Sequence, residues 1–282
     1  MGMHRTHSLR YAAVAAGVSF AVSALLPTHA YAMGLPTAAA SSAASKPTIV
    51  LVHGAWADAS SWNGEVKILR GEGYQVRAIA NPLQNLTTDS QTIADFLKTV
   101  RGPVVLVGHS YGGSVITNAA AETKNVKALV YVDAAAPAVG ETNGSLSGSN
   151  SALNAPPSTL FDTAAYPQAP SGAKNLYLKK NIFVRDFASD LPTNQAENLW
   201  ATQRAASTAA FNTPSKHAAW KTIPSWYFIS SGDRIITPKS EERMARRAHA
   251  KTTVFRGGSH LTLISHPDAV AKVISTAARS VG

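Results

Sequence analysis

The chain has 282 residues, 45% of them hydrophobic and 15% charged, a balance that supports a packed core rather than a disordered chain. It contains no cysteine, which excludes a disulfide framework, a Cys-ligated zinc or iron–sulfur site and a thiol nucleophile. Lys and Arg outnumber Asp and Glu by 26 to 16, for a formal charge of +10, and the position of that charge decides whether it says anything about an anionic partner.

Arg5 and Arg10 precede an uncharged run rich in Ala, Val, Leu and Phe over residues 11–26, and Ala30-Tyr31-Ala32 follows Pro27. A basic start, an apolar centre and small residues at the two positions that a signal peptidase reads predict an export signal over residues 1–32, cleaved after Ala32. The run of about 16 residues is shorter than the roughly 20 needed to span a bilayer core, which disfavours an uncleaved anchor. The expectation is export to the periplasm or beyond, with no stable membrane insertion once the signal is removed. Its loss takes away two arginines and no acid, so the remaining chain stays basic. Residues 33–47 are small, Ala/Ser-rich and aperiodic, as in a flexible linker, and residues 48–282 are expected to form one domain.

Thr48-Ile49-Val50-Leu51-Val52 is continuously apolar and rich in β-branched residues, as in a strand buried on both faces of a parallel sheet. Runs of the same character follow at residues 74–80, 103–107, 128–132 and 225–229, with a weaker one at 252–255. Between the second and third, Ile93, Phe96, Leu97 and Val100 recur at the spacing of an amphipathic helix, with Asp89 as its expected N-cap. Strands alternating with helices predict an α/β fold, a mostly parallel sheet of about six strands with helices on both faces. Ligands bind such sheets beyond the carboxyl ends of the strands.

The third run ends in Gly108-His109-Ser110-Tyr111-Gly112, with Gly113 and a helical run behind it. This G-x-S-x-G pattern between a strand and a helix is the context of a nucleophile elbow, where small neighbours let a tight turn lift the serine hydroxyl above the sheet. A serine needs a base, and the base an orienting carboxylate, in the chain order Ser, then Asp or Glu, then His. The run at 225–229 opens into Ser230-Ser231-Gly232-Asp233, and that at 252–255 into Gly257-Gly258-Ser259-His260. Asp233 and His260 are therefore the expected partners of Ser110. Asp133, at the end of the run 128–132, competes for the acid role, and Asp233 is preferred because it lies one strand before the histidine loop. His53 and His109 are expected to support loop geometry. The oxyanion hole is expected from the backbone N–H of Tyr111, after the nucleophile, and of Ala55 in the loop His53-Gly54-Ala55-Trp56.

These motifs, with Trp62, Tyr131-Val132-Asp133-Ala134 and His266-Pro267, resemble the α/β-hydrolase superfamily of serine hydrolases, closest to the methylesterase and hydroxynitrile-lyase-like esterase branch. The resemblance covers residues 48–282 apart from the middle. It implies the α/β-hydrolase fold, with a helical cap inserted over about residues 137–223 above the serine. Dehalogenases and epoxide hydrolases of similar fold carry an aspartate nucleophile, which Ser110 argues against. The lyases of this branch carry a lysine directly after the catalytic histidine, and that position here is Leu261.

Trp56, Phe161, Phe183 and Trp200 are expected to line the substrate pocket. Tyr166, Phe187, Phe211 and Trp220 are further aromatics of the same stretch, most of which should pack the cap onto the sheet. Arg243, Arg246 and Arg247 are expected on a solvated helix face, and no nucleic-acid motif accompanies them. The function expected is hydrolysis of small carboxylic esters through a Ser-His-Asp acyl-enzyme, with no metal or organic cofactor implied. A carbon–carbon bond hydrolase or a cofactor-free perhydrolase could use the same residues. A non-catalytic small-ligand sensor or a basic surface-binding protein are more distant alternatives.

Overall fold

A computed structural model describes residues 46–167, 169 and 172–282; the expected export signal, and the expected linker as far as residue 45, lie outside these residues. In chain order the strands are β1 (Thr48–Val52), β2 (Val76–Ile79), β3 (Val104–His109), β4 (Val126–Val132), β5 (Phe161–Ala165), β6 (Lys174–Leu178), β7 (Ala206–Ser207), β8 (Ser225–Ser230) and β9 (Lys251–Phe255). Six of them form one parallel sheet in the order β2-β1-β3-β4-β8-β9. The central strands β3 and β8 are buried along their whole length, which is why they read as unbroken apolar runs.

The longer helices are α1 (Asn63–Gly71), α2 (Leu86–Lys98), α3 (Tyr111–Ala119), α4 (Thr193–Ala201), α5 (Pro238–Arg247) and α6 (Pro267–Arg279). The chain steps from β1 outward to β2 and then back across β1 to β3. Right-handed crossovers therefore place α1 and α2 on opposite faces, where α1 packs on α6 and α2 on α3. The N-cap of α2 is Asn85, not Asp89: its side chain accepts from the Thr87 and Thr88 N–H groups. Asp89 is buried one turn inside, where its carboxylate accepts from Gln84 N–H and from the Tyr111 hydroxyl. No helix among the described residues is long and apolar enough to cross a membrane.

The segment between β4 and β8 carries helices, as expected, and also an antiparallel sheet of β5, β6 and β7 that its sequence did not announce. The arginines of α5 divide in their roles. Arg246 is exposed beside Glu242, whereas Arg247 makes two 2.7 Å bonds to the Glu141 carboxylate and lies over the Trp220 ring.

Candidate active site

Ser110 stands alone between the last residue of β3 and the first of α3, at φ 54° and ψ −123°. A non-glycine residue there costs about 1–3 kcal/mol and persists only where its surroundings dictate it. They do. A Cβ on Gly108 would lie 2.5 Å from the Gly112 carbonyl oxygen, and one on Gly112 would lie 2.5 Å from that of Val52, so the turn closes only around glycines. Backbone bonds then pin it: Ser110 N–H donates to Val132 O at 3.3 Å, and Gly113 and Ala135 N–H donate to Ser110 O at 3.0 and 3.2 Å.

His260, in the loop after β9, reaches this serine. Its Nε2 lies 2.7 Å from Ser110 Oγ, and its Nδ1 lies 2.6 Å from Asp233 Oδ2. The other Asp233 oxygen accepts from the N–H groups of Ile235 at 2.7 Å and Ile236 at 3.2 Å. A carboxylate accepts, so Nδ1 carries the imidazole proton and Nε2 is left to receive the serine proton. Burial lowers His260 to about 3 and so keeps it neutral. Burial also pushes Asp233 upward, against which its two N–H donors hold the charged form. Ser110 is 5% exposed, while His260 and Asp233 lie deeper.

Asp133 sits at the end of β4 and does not bond His260; its Oδ1 accepts from Ser230 N–H at 2.7 Å and its Oδ2 lies 2.9 Å from Ser230 Oγ. The carboxylate oxygens of Asp133, Asp233 and Glu241 lie within 4.8 Å of one another in the interior. Within this buried acidic cluster Asp233 is committed to His260, Ile235 and Ile236, and Asp133 to Ser230.

The loop after β1 is drawn tight against the serine, since a Cβ on Gly54 would stand 2.6 Å from Ser110 Cβ. His53 braces it: Nδ1–H donates to Gly54 O at 2.9 Å, and Nε2 accepts from Asn81 N–H at 2.9 Å. His109 Nε2–H donates to the His260 carbonyl oxygen at 2.8 Å. Among the described residues the backbone N–H groups of Ala55 and Tyr111 find no hydrogen-bond acceptor.

Trp56 follows Ala55 in this loop, and its indole N–H donates to Leu176 O at 3.0 Å. Its ring lies 5.3 Å from that of Phe211 and 5.6 Å from that of Phe161, both stacked, and 5.9 Å edge-on from Phe187. On one side is a cavity of about 170 Å³ lined by Trp56, Leu153, Phe161, Leu176 and Phe211. On the other is one of about 30 Å³ walled by Trp56, Phe183, Phe187 and Leu261 together with Asp58 and Gln203; Ser110 and His260 line neither cavity. Of the four expected pocket residues, Trp56, Phe161 and Phe183 line one cavity or both. Trp200 lines neither: its indole N–H donates to Leu178 O at 2.9 Å and Lys180 lies over its ring, which anchors α4 to β6. Leu153 and Leu176 escaped the sequence because isolated leucines in polar stretches carry no periodic signal.

A model of the alpha/beta hydrolase family matches residues 49–273. The alpha/beta hydrolase nvfD of Aspergillus novofumigatus is 28% identical over 261 residues, which span 83% of this chain and 97% of that one. Polyneuridine aldehyde esterase shares the fold with a TM-score of 0.68 at 18% identity, over 82% of this chain and 99% of its own. The methylesterase MES16 of Arabidopsis does so with a TM-score of 0.67 at 17% identity, over 83% and 99%.

Proposed function

The chain belongs to the alpha/beta hydrolase family, and on that footing we propose that it is an exported serine hydrolase of small carboxylic esters. The observation that carries the proposal is the double engagement of His260, with Ser110 Oγ on one ring nitrogen and Asp233 on the other. Ser110 attacks the ester carbonyl while His260 Nε2 takes its proton, and Asp233 holds the tautomer and the imidazolium that forms. The developing oxyanion accepts from the Ala55 and Tyr111 N–H groups. His260 then protonates the departing alcohol, and water resolves the acyl-enzyme by the same path in reverse.

Three features support the substrate class. Two proteins of the same fold are named as esterases. The cavity of about 170 Å³ beside Trp56 combines Leu153, Phe161, Leu176 and Phe211 with Ser147, Asn154, Thr208 and Asn212, a lining that suits an ester with an apolar chain. Leu261 stands after His260, where a lyase would need a cation. Export is supported by the basic, apolar and small-residue pattern of residues 1–32.

Labelling with a fluorophosphonate probe and hydrolysis of short p-nitrophenyl esters test the chemistry. Ser110→Ala is expected to abolish labelling and to lower kcat by about 10⁴-fold or more. An unlabelled wild type, or a fully active Ser110→Ala, overturns the proposal. Product identification separates an esterase from a carbon–carbon hydrolase or a perhydrolase. In the same preparation export is read from the mature N-terminus: Met33 is expected, and an intact Met1 contradicts it.

A further inference from the structure

Behind the site, three side chains make more hydrogen-bond contacts than their hydroxyls can supply. Thr262 Oγ1 lies 2.6 Å from the Ser259 carbonyl oxygen and 2.7 Å from Ser230 Oγ. Ser230 Oγ lies in turn 2.9 Å from Asp133 Oδ2. A carbonyl oxygen only accepts, so the Thr262 proton points at Ser259. Thr262 Oγ1 then receives the Ser230 proton, and no proton remains on Ser230 for Asp133. Reversing the Ser230 hydroxyl moves the conflict without removing it. Thr262 would then have to donate to Ser230, leaving two bare oxygens 2.6 Å apart at Ser259.

Three contacts need three protons, and two hydroxyls hold two. We infer that the third proton is on Asp133 Oδ2, so that Asp133 is a neutral carboxylic acid donating to Ser230 Oγ. The carboxyl is oriented for this, because its other oxygen accepts from Ser230 N–H at 2.7 Å, as the C=O of an acid would. Asp133, Ser230 and Thr262 are all fully buried, and a Cβ on Gly258 would come within 3.2 Å of Ser230 Oγ, so the protein closes over the chain of bonds. The titratable groups that face Asp133 are acidic: Asp233, Glu241, itself pushed upward by burial, and Asp190. Burial first, Asp233 second and Asp190 last push the Asp133 carboxyl well above the usual carboxylate range, against the lowering effect of its Ser230 bonds.

Asp133 is thereby a positioning residue. It touches no reacting atom, but it ties the end of β4 to the segments that carry Asp233 and His260. Its neutrality leaves Asp233 as the counter-charge to the imidazolium. That last consequence rests on the proposed triad, whereas the protonation of Asp133 rests on hydrogen-bond geometry alone.

The test is an infrared difference spectrum at pH 7 between the wild type and Asp133→Asn. The wild type should show a protonated-carboxyl C=O band that shifts in D₂O and is missing from the variant; a carboxylate signature at Asp133 instead overturns the inference. This readout does not depend on esterase activity. Function gives a second one. An Asn amide reproduces both bonds, accepting from Ser230 N–H and donating to Ser230 Oγ, whereas Ala reproduces neither. Asp133→Asn should hold kcat/KM within about threefold with the wild-type pH profile, and Asp133→Ala should lose about tenfold or more. Equal losses in the two would mean an ionised acceptor and sink the inference. If the Asn variant fails to fold, the Cγ resonances of aspartate-labelled wild type decide: one aspartate protonated at pH 7 is expected, and none contradicts it.

Discussion

Gly54 fixes how closely the loop after β1 can approach the nucleophile. A methyl group there would meet Ser110 Cβ at 2.6 Å and the Nδ1 and carbonyl oxygen of His109 at 3.0 Å, and all three atoms belong to a packed turn with little freedom to yield. Gly54→Ala should therefore keep the fold at a cost of about 1–3 kcal/mol. It should also lower kcat/KM about 10²-fold, because the proposed donor at Ala55 is pushed away from Ser110. Circular dichroism beside ester kinetics separates the two effects, and a variant as active as the wild type would remove Ala55 from the site. At this scale the sequence announces what is local. Ser110, Asp233 and His260 each follow a strand and stand among small residues, and that pattern survives without coordinates. The Asp133–Ser230–Thr262 chain leaves no such mark, since its bonds join residues 97 and 32 positions apart. From sequence Asp133 could only be a rival acid, because it too ends a strand.

Elements differ in legibility for a physical reason. The inner strands β1, β3, β4 and β8 of the main sheet are covered on both faces, so burial writes them as apolar runs, whereas the edge strands β2 and β9 are half-buried or exposed and read more weakly. In the cap, β5 is mostly exposed, β6 alternates around Leu176 and Leu178, and β7 has two residues, so no strand signal rises above its surroundings. The same cap supplies the wall opposite Trp56. Phe211, in the short helix Thr208–Asn212, stacks on Trp56 and lies 6.0 Å from the Tyr111 ring. Truncating it joins the space of its ring to the cavity of about 170 Å³. Because Phe211 is only partly buried, Phe211→Ala should cost less than the about 3–5 kcal/mol of a core phenylalanine. Its preference should move toward longer acyl chains, with the hexanoate-to-acetate ratio of kcat/KM rising about tenfold. An unchanged chain-length profile would place the acyl group elsewhere, and the smaller cavity beside Phe183 becomes the alternative.

Over the whole molecule, a chain without cysteine must hold its fold by packing and buried polar order. His53, His109 and His260 are fully buried around Ser110, and burial lowers the pKa of each. For His53 the folded value is about 4 against an ordinary 6.5. Between these values the unfolded chain takes up a proton that the folded chain refuses. The stabilisation is thus complete above pH 6.5 and is lost as pH falls toward 4, a loss of about 3 kcal/mol over the window. Glu65 and Glu241 work in the opposite sense. Burial raises their folded values, so they favour the native state as pH falls and oppose it as pH rises. A pH scan of the wild type alone therefore mixes both contributions. His53→Gln separates them, because the Gln oxygen can still accept from Asn81 N–H while the side chain no longer titrates. The variant should have the lower Tm at pH 7 and lose less of it between pH 7 and pH 4.5 than the wild type does. Parallel Tm curves would show that His53 takes its proton equally in both states, and the acid sensitivity of the fold would then belong to His109 and His260.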